Sequence, residues 1–158
     1  MPVELLASHR GAWTGTSTFR MMPTDPFETR GGSAAVELAA GGNVTTLTYV
    51  WEHPTDGRQE GVLATWAPDG TTTDLRAVWC DSWHQQPAPM EMSGGANGST
   101  ITLDGTYGET WGWQIAIEHG SPDALRVVMR NVIPAEAATD EIGPGPYETS
   151  TMQLTRSS

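Results

Sequence analysis

Large apolar residues recur at every second position in several short stretches of this chain. The clearest stretch is Trp111–Glu118, where the odd positions carry large apolar side chains and the even positions small or polar ones. A period of two is typical of a β-strand with one buried face. Similar alternation predicts strands at residues 47–51, 62–66, 75–79 and 101–103, and weaker patterns predict them at 13–22, 34–39, 88–93, 125–133 and 147–155.

Short clusters of Gly, Pro, Asn and Asp separate these stretches at regular intervals, and such clusters favour tight turns. About ten strands joined by hairpin-length turns predict an all-β fold and one antiparallel up-and-down β-barrel over residues 1–158. A β-sandwich is the structural alternative, but no long crossover favours it. We also expect a short N-terminal helix at residues 3–9, with Leu5 and Leu6 covering one end, and two rim loops at residues 23–32 and 134–146.

Most of the seven Trp residues lie on the apolar faces of these strands. If those faces point inward, rings from four strands converge in one interior, which a barrel of this size cannot fill with aliphatic side chains alone. The sequence leaves open whether that interior is a cavity or a filled core. The side chains expected to line it are Tyr49, Trp51, Trp66, Trp79, Trp113, Ile115 and Met129.

The segment Gly11-Ala12-Trp13-Thr14-Gly15, which follows Leu5-Leu6 and opens the first strand, resembles the Gly-x-Trp motif of the calycins. That superfamily includes lipocalins, fatty-acid-binding proteins and nitrobindin-like barrels, and the chain is most similar to bacterial lipocalin-like families of undetermined function. The resemblance implies that Trp13 packs across the closed end against an Arg of the last strand, here Arg156. This pair would be a structural plug of the barrel.

The nitrobindin-like branch of the same superfamily implies haem bound through one His near the C-terminus. This chain has no His after His119. We therefore expect no cofactor, and haem remains only an alternative.

The chain is acidic, with a net charge of -11, and all eight of its basic residues are Arg. An acidic surface repels phosphate backbones and anionic lipids, so we expect neither a nucleic-acid nor a membrane partner. Residues 1–10 lack the pattern of a secretory signal, and a lone cysteine, Cys80, cannot form an internal disulfide. These features predict a cytoplasmic protein, monomeric or homodimeric.

Four His residues are present, but their spacing suits no shared metal ion, so we expect no metal site. His84 and Asp81 belong to a polar and aromatic cluster at a strand end, and with Arg130 they form the candidate polar site. Asp81, Ser82 and His84 do not form a hydrolytic triad, because neighbours on an extended chain point to alternating faces. Arg130 alternates with Met129 and should face solvent; in the opposite phase it would anchor a ligand carboxylate.

The sequence favours a binding protein that holds a small apolar or amphipathic molecule inside the barrel, with no catalytic residue assigned. One alternative is an isomerase or cyclase that uses His84, Asp81 or Tyr107 as acid and base groups. Such an enzyme would have a buried His with a perturbed pKa. The others are a haem-binding nitrobindin-like protein and a structural or oligomeric protein with a filled interior.

Overall fold

The computed structural model of the protein describes residues 3–158 and has ten antiparallel strands that close into one barrel. Each strand pairs with its neighbours in the sequence, and β1 pairs with β10 to close the sheet. This arrangement confirms the predicted up-and-down barrel. The strands are β1 Gly11–Phe19, β2 Glu28–Ala39, β3 Val44–His53, β4 Gly57–Trp66, β5 Leu75–Asp81, β6 Gln85–Asn97, β7 Thr100–Tyr107, β8 Trp111–Glu118, β9 Ala124–Ile133 and β10 Gly145–Arg156.

The helix predicted for residues 3–9 is wrong, because that segment forms only a 3₁₀ turn, Ala7–His9. Leu6 takes a left-handed conformation, with φ of 60°, which interrupts a right-handed helix. The other helical pieces of residues 3–158 are the 3₁₀ turns Ala40–Gly42 and Ala135–Ala137. None of the helices described is long and apolar enough to cross a membrane. Met1 and Pro2, part of the segment in which we expect no secretory signal, lie outside the described residues.

One end of the barrel, which we call the floor, is closed by side chains from both ends of the chain. Leu5 and Leu6 are buried there next to Leu47 and Leu63. Trp13 is fully buried, and its Nε1 donates a hydrogen bond of 2.8 Å to the carbonyl of His9.

Arg156 holds the floor together from the last strand. Its guanidinium carbon lies 4.7 Å from the ring centroid of Trp13, a cation–π contact. The same guanidinium donates to the carbonyls of Ser8, Arg10 and Pro122. The N-terminal turn, the β8–β9 turn and β10 are therefore joined through one side chain.

The outer wall of the barrel carries the charged residues of β8, β9 and β10. Arg130 donates to Gln114 over 3.0 Å and lies 3.8 Å from the carboxylate of Glu148. Arg126 pairs with Glu118 and Glu148 on the same wall. Arg130 thus belongs to this outer network rather than to the candidate polar site, as its alternation with the inward Met129 requires.

Trp66 also lies outside the barrel, so the prediction that it lines the interior is wrong. The second half of its strand has few polar side chains on either face, and the structure buries Leu63 and Thr65 inside while Trp66 is half-buried on the opposite face. Gly61 explains the choice, because a Cβ at that position would overlap the ring of Tyr49. Only glycine fits opposite this inward tyrosine, and the phase it sets turns Trp66 outward.

Candidate site at the mouth of the barrel

The interior is filled near the floor and opens into a cavity of about 190 Å³ at the opposite end, which we call the mouth. The loops between β1 and β2 and between β9 and β10 lie at this end, as do the β3–β4, β5–β6 and β7–β8 turns. Most of the lining is aromatic. The lining residues are Phe19, Arg20, Met21, Trp79, Trp83, His84, Gln85, Met90, Tyr107, Trp113, Asn131, Tyr147 and Thr149.

The wall of this cavity is organised around the carboxylate of Asp81, the last residue of β5, which is 1% exposed. One carboxylate oxygen accepts the phenolic hydroxyl of Tyr49 at 2.6 Å and the indole N–H of Trp51 at 3.1 Å. The other accepts the backbone N–H groups of Trp83 at 2.8 Å and His84 at 2.9 Å. Asp81 therefore connects two side chains of β3 to the β5–β6 turn, and four donors satisfy a buried carboxylate that would otherwise be costly.

Tyr49 extends this network to a second ring of the cavity wall. Its hydroxyl donates to Asp81 and accepts the indole N–H of Trp79 at 2.8 Å. Burial, together with the nearby Asp81, raises the pKa of Tyr49 well above its ordinary value, so the phenol stays protonated and remains a donor.

The β5–β6 turn is fixed from outside the network as well. The indole N–H of Trp83 donates to Asp56 at 2.8 Å, and its ring stacks on His53 with centroids 4.6 Å apart. Ser82 donates to Gln59 at 2.7 Å. These contacts join the β5–β6 turn to the β3–β4 turn, so Trp83 is held over one side of the mouth.

His84 is half-buried and packs among the aromatic rings of the cavity wall. Its ring stacks on Trp51 with centroids 5.1 Å apart, and it lies 4.9 Å from the ring of Trp113 and 5.0 Å from that of Trp83. Burial lowers the pKa of His84 to about 4. The imidazole is therefore neutral at physiological pH.

Two buried polar atoms of the cavity wall, His84 Nε2 and Trp113 Nε1, have no hydrogen-bond partner among residues 3–158. An indole N–H can only donate, so Trp113 requires an acceptor that the described chain does not supply. Leaving such a group unsatisfied costs about 1–3 kcal/mol. A third atom of this kind, Nε2 of His119, lies at the floor beside His9, and burial lowers the pKa of that imidazole.

The structure divides the residues predicted from the sequence among five places. Trp79, Trp113 and His84 line the mouth cavity, with Asp81 directly behind them. Tyr49, Trp51 and Met129 surround a void of about 10 Å³ beneath it. Ile115 is fully buried in the packed core, and Trp66 and Arg130 lie on the outer wall. Trp13 and Arg156 meet at the floor.

Several cavity residues were not among those predicted from the sequence. Asn131 follows Val127 and Met129 in phase on β9, and Phe19 follows Trp13 and Ser17 in phase on β1, so alternation alone could have identified both. Tyr147 carries no comparable pattern, because the register of β10 shifts between Glu148 and Ser150. Tyr107, named above as a candidate acid or base, lies on the rim, where it donates to Asn131 and burial raises the pKa of its phenol.

A wider concave region lies on the outer face of β1 to β5 and is lined mainly by small side chains, including Ala35, Val50, Val62 and Cys80. Its volume is about 730 Å³, larger than that of the mouth cavity. The Cys80 thiol donates to the carbonyl of Gln85 at 3.2 Å, and no unpartnered buried atom of residues 3–158 belongs to this region. The mouth cavity is therefore the stronger candidate site.

The mouth cavity does not fit haem. β10 contributes Tyr147 and Thr149 to the lining but no His, and His84 lies on a different wall with its ring covered by Trp51. A protein cavity of about 150 Å³ holds one benzene ring, so a cavity of this size has no room for a macrocycle of four rings.

The fold and the site together define a lipocalin-like barrel, a closed ten-stranded antiparallel sheet with a cavity at one end. Solved structures with this fold include the following two. Rv2717c from M. tuberculosis superposes with a TM-score of 0.67 and 14% identity, covering 97% of this chain and 95% of its own. The S-type phycobiliprotein lyase CPES from Guillardia theta gives a TM-score of 0.58 and 14% identity, covering 100% and 94%. No family model and no curated protein sequence matches the chain.

Replacing Asp81 by Asn tests the network behind the cavity. The amide keeps one acceptor oxygen but turns N–H groups toward donors, so we expect Asp81→Asn to lower the free energy of unfolding by about 2–3 kcal/mol. Asp69→Asn, the same change at an exposed turn position, should shift it by less than about 0.5 kcal/mol. Urea denaturation measures both values, and equal small shifts would contradict the role given to Asp81.

The burial of His84 predicts a specific dependence of stability on pH. Its pKa is about 4 in the folded state against 6.5 for a free imidazole, so between these values the unfolded chain binds a proton that the folded chain does not. The titration of His84 therefore does not lower the free energy of unfolding above pH 6.5. As the pH falls from 6.5 toward 4, it lowers the free energy of unfolding by at most about 3 kcal/mol. Wild type should lose more stability than His84→Gln between pH 7 and pH 4 in urea denaturation, whereas parallel pH curves would show that His84 titrates normally.

Proposed function

We propose that this protein binds a small aromatic or amphipathic molecule in the mouth cavity, as a member of the calycin superfamily. The observation that carries the proposal is the pair of unpartnered buried atoms, His84 Nε2 and Trp113 Nε1, in a wall made mostly of aromatic rings. A ligand with an acceptor atom satisfies the indole N–H and recovers the free energy that its burial costs. Ligand sites commonly combine an apolar lining with a few such polar groups.

The volume of the cavity limits the ligand to about one or two rings. A cavity of about 150 Å³ accepts benzene, and the mouth cavity has about 190 Å³ and opens to solvent. A larger amphipathic molecule would place only its ring or chain end inside, with the remainder outside the mouth. The exposed apolar side chains of Met21 and Tyr107 on the rim offer contacts to that part.

His84 is the His with a perturbed pKa that the enzyme alternative requires, but the direction of the perturbation favours binding over acid–base catalysis. An effective general base has a pKa near the working pH, and a pKa of about 4 makes His84 a weak base at neutral pH. Its neighbour Asp81 already accepts four hydrogen bonds. The neutral imidazole is better suited to stacking and hydrogen bonding with a ligand than to moving a proton.

A calorimetric titration with quinoline, coumarin, indole-3-carboxamide and oleate tests the proposal. We expect at least one of these to bind with one molecule per chain, and Trp113→Phe to weaken the tightest of them by about tenfold, because phenylalanine keeps an aromatic ring but removes the N–H donor.

The chain offers a matched control in Trp66, which lies on the outer wall. Trp66→Phe is the same chemical change away from the cavity and should leave the affinity within twofold of wild type, a change of about 0.4 kcal/mol. Absence of binding across the panel, or equal losses in the two variants, would contradict the proposed site.

A further inference from the structure

Arg20 is the one charged side chain that the described residues place in the lining of the mouth cavity. It follows β1 directly and is half-buried. Its Nε donates to the carbonyl of Glu148 at 2.8 Å, and one Nη donates to the carbonyl of Pro23 at 2.8 Å. The guanidinium is thereby held in a fixed position at the edge of the cavity.

Two aromatic rings make cation–π contacts with the same guanidinium. Its central carbon lies 4.2 Å from the ring centroid of Phe27 and 5.9 Å from that of Tyr147. Such stacking suits the planar, weakly hydrated guanidinium and leaves its edge free for hydrogen bonds. Tyr147 also lines the cavity, so the cation is continuous with the aromatic wall.

The positive charge of Arg20 is not neutralised by an acidic side chain of residues 3–158. Four other Arg residues of the chain form ion pairs, whereas Arg20 forms hydrogen bonds only to backbone carbonyls. The side chain of Glu148, whose carbonyl accepts from Arg20, lies near Arg126 and Arg130 instead. A fixed, unpaired guanidinium beside an apolar cavity is a favourable partner for an anion.

A cationic ligand is the alternative, since aromatic walls also bind ammonium groups and two acidic side chains lie near the cavity. Asp81 is the acidic group closest behind the wall, but its oxygens accept four hydrogen bonds and it is 1% exposed. Asp56 accepts the indole N–H of Trp83 on the rim. Arg20 lines the cavity itself, so charge repulsion disfavours a cation where the ligand would lie.

We propose that the mouth cavity selects aromatic carboxylates, with the ring against the aromatic wall and the carboxylate on the guanidinium of Arg20. This inference rests on the proposed function and specifies the class of its ligand. Arg20 acts here as a specificity residue, since a guanidinium binds a carboxylate through charge-assisted, geometrically matched hydrogen bonds that an uncharged amide does not form.

Three ligands of nearly equal shape test the proposal with the wild-type protein: indole-3-carboxylate, indole-3-carboxamide and 3-(aminomethyl)indole. Isothermal titration at pH 7 and low salt should give the carboxylate at least about tenfold tighter binding than the carboxamide, the smallest effect expected for a charge-assisted hydrogen bond. The preference should decrease in 1 M NaCl, which screens the ion pair.

Substitutions at Arg20 assign the preference to this residue. Arg20→Gln should bring the carboxylate to the affinity of the carboxamide, and Arg20→Lys should keep part of the difference, because it retains the charge without the planar fork. Arg30→Gln removes the same charge from an exposed position of β2 outside the cavity lining and should keep the full difference. Circular dichroism verifies the fold of each variant.

The other outcomes separate failure of selection by Arg20 from failure of the proposed binding site. If the carboxamide binds as tightly as the carboxylate, or the amine binds more tightly, selection by Arg20 is wrong while the binding site stands. If none of the three binds wild type and the broader panel also fails, the proposed function itself is wrong. If Arg30→Gln abolishes the preference as fully as Arg20→Gln, net charge rather than Arg20 is responsible. If Arg20→Gln does not fold, the ligand comparison in wild type and in Arg20→Lys still decides the question.

Discussion

The carboxylate of Asp81 is the constraint on which the mouth of this barrel depends. A buried carboxylate is tolerated only when its oxygens are satisfied, and here the donors come from β3 and from the β5–β6 turn. Satisfying them fixes Tyr49, positions Trp79 through the Tyr49 hydroxyl, and shapes the turn that carries Trp83 and His84. The positions of the aromatic rings in the cavity wall therefore depend on the polar network behind them as well as on apolar packing.

Period-two alternation was sufficient to predict the barrel, because most strands have one clearly apolar face. β8 shows this well, and on β9 the same rule placed Arg130 outside. The rule failed at Trp66, where the second half of β4 has few polar side chains on either face and the contact between Gly61 and Tyr49 selects the phase. The short helix expected at residues 3–9 was wrong for a different reason, because the backbone of Leu6 is left-handed.

The candidate site was only partly predictable for a related reason. His84, Asp81, Trp79 and Trp113 stood out as residue types at strand ends. The hydrogen bonds that Asp81 accepts from Tyr49 and Trp51, however, join positions about thirty residues apart, which the pairing of the strands brings together. Arg20 showed no sequence pattern at all, since its role depends on backbone carbonyls and rings from distant segments. A fold is encoded by repeated local pattern, whereas this site depends on single long-range contacts.

Two concave regions of the barrel compete as the binding site, and the unpartnered atoms favour the aromatic cavity at the mouth over the larger groove on the outer wall. A crystal structure of the protein with coumarin, whose carbonyl oxygen is an acceptor, distinguishes the two. We expect the ring in the mouth cavity, with the carbonyl oxygen of coumarin within about 3.2 Å of Trp113 Nε1. A ligand seated instead on the outer face beside Val62 and Cys80, with Trp113 Nε1 left unpartnered, would contradict this assignment.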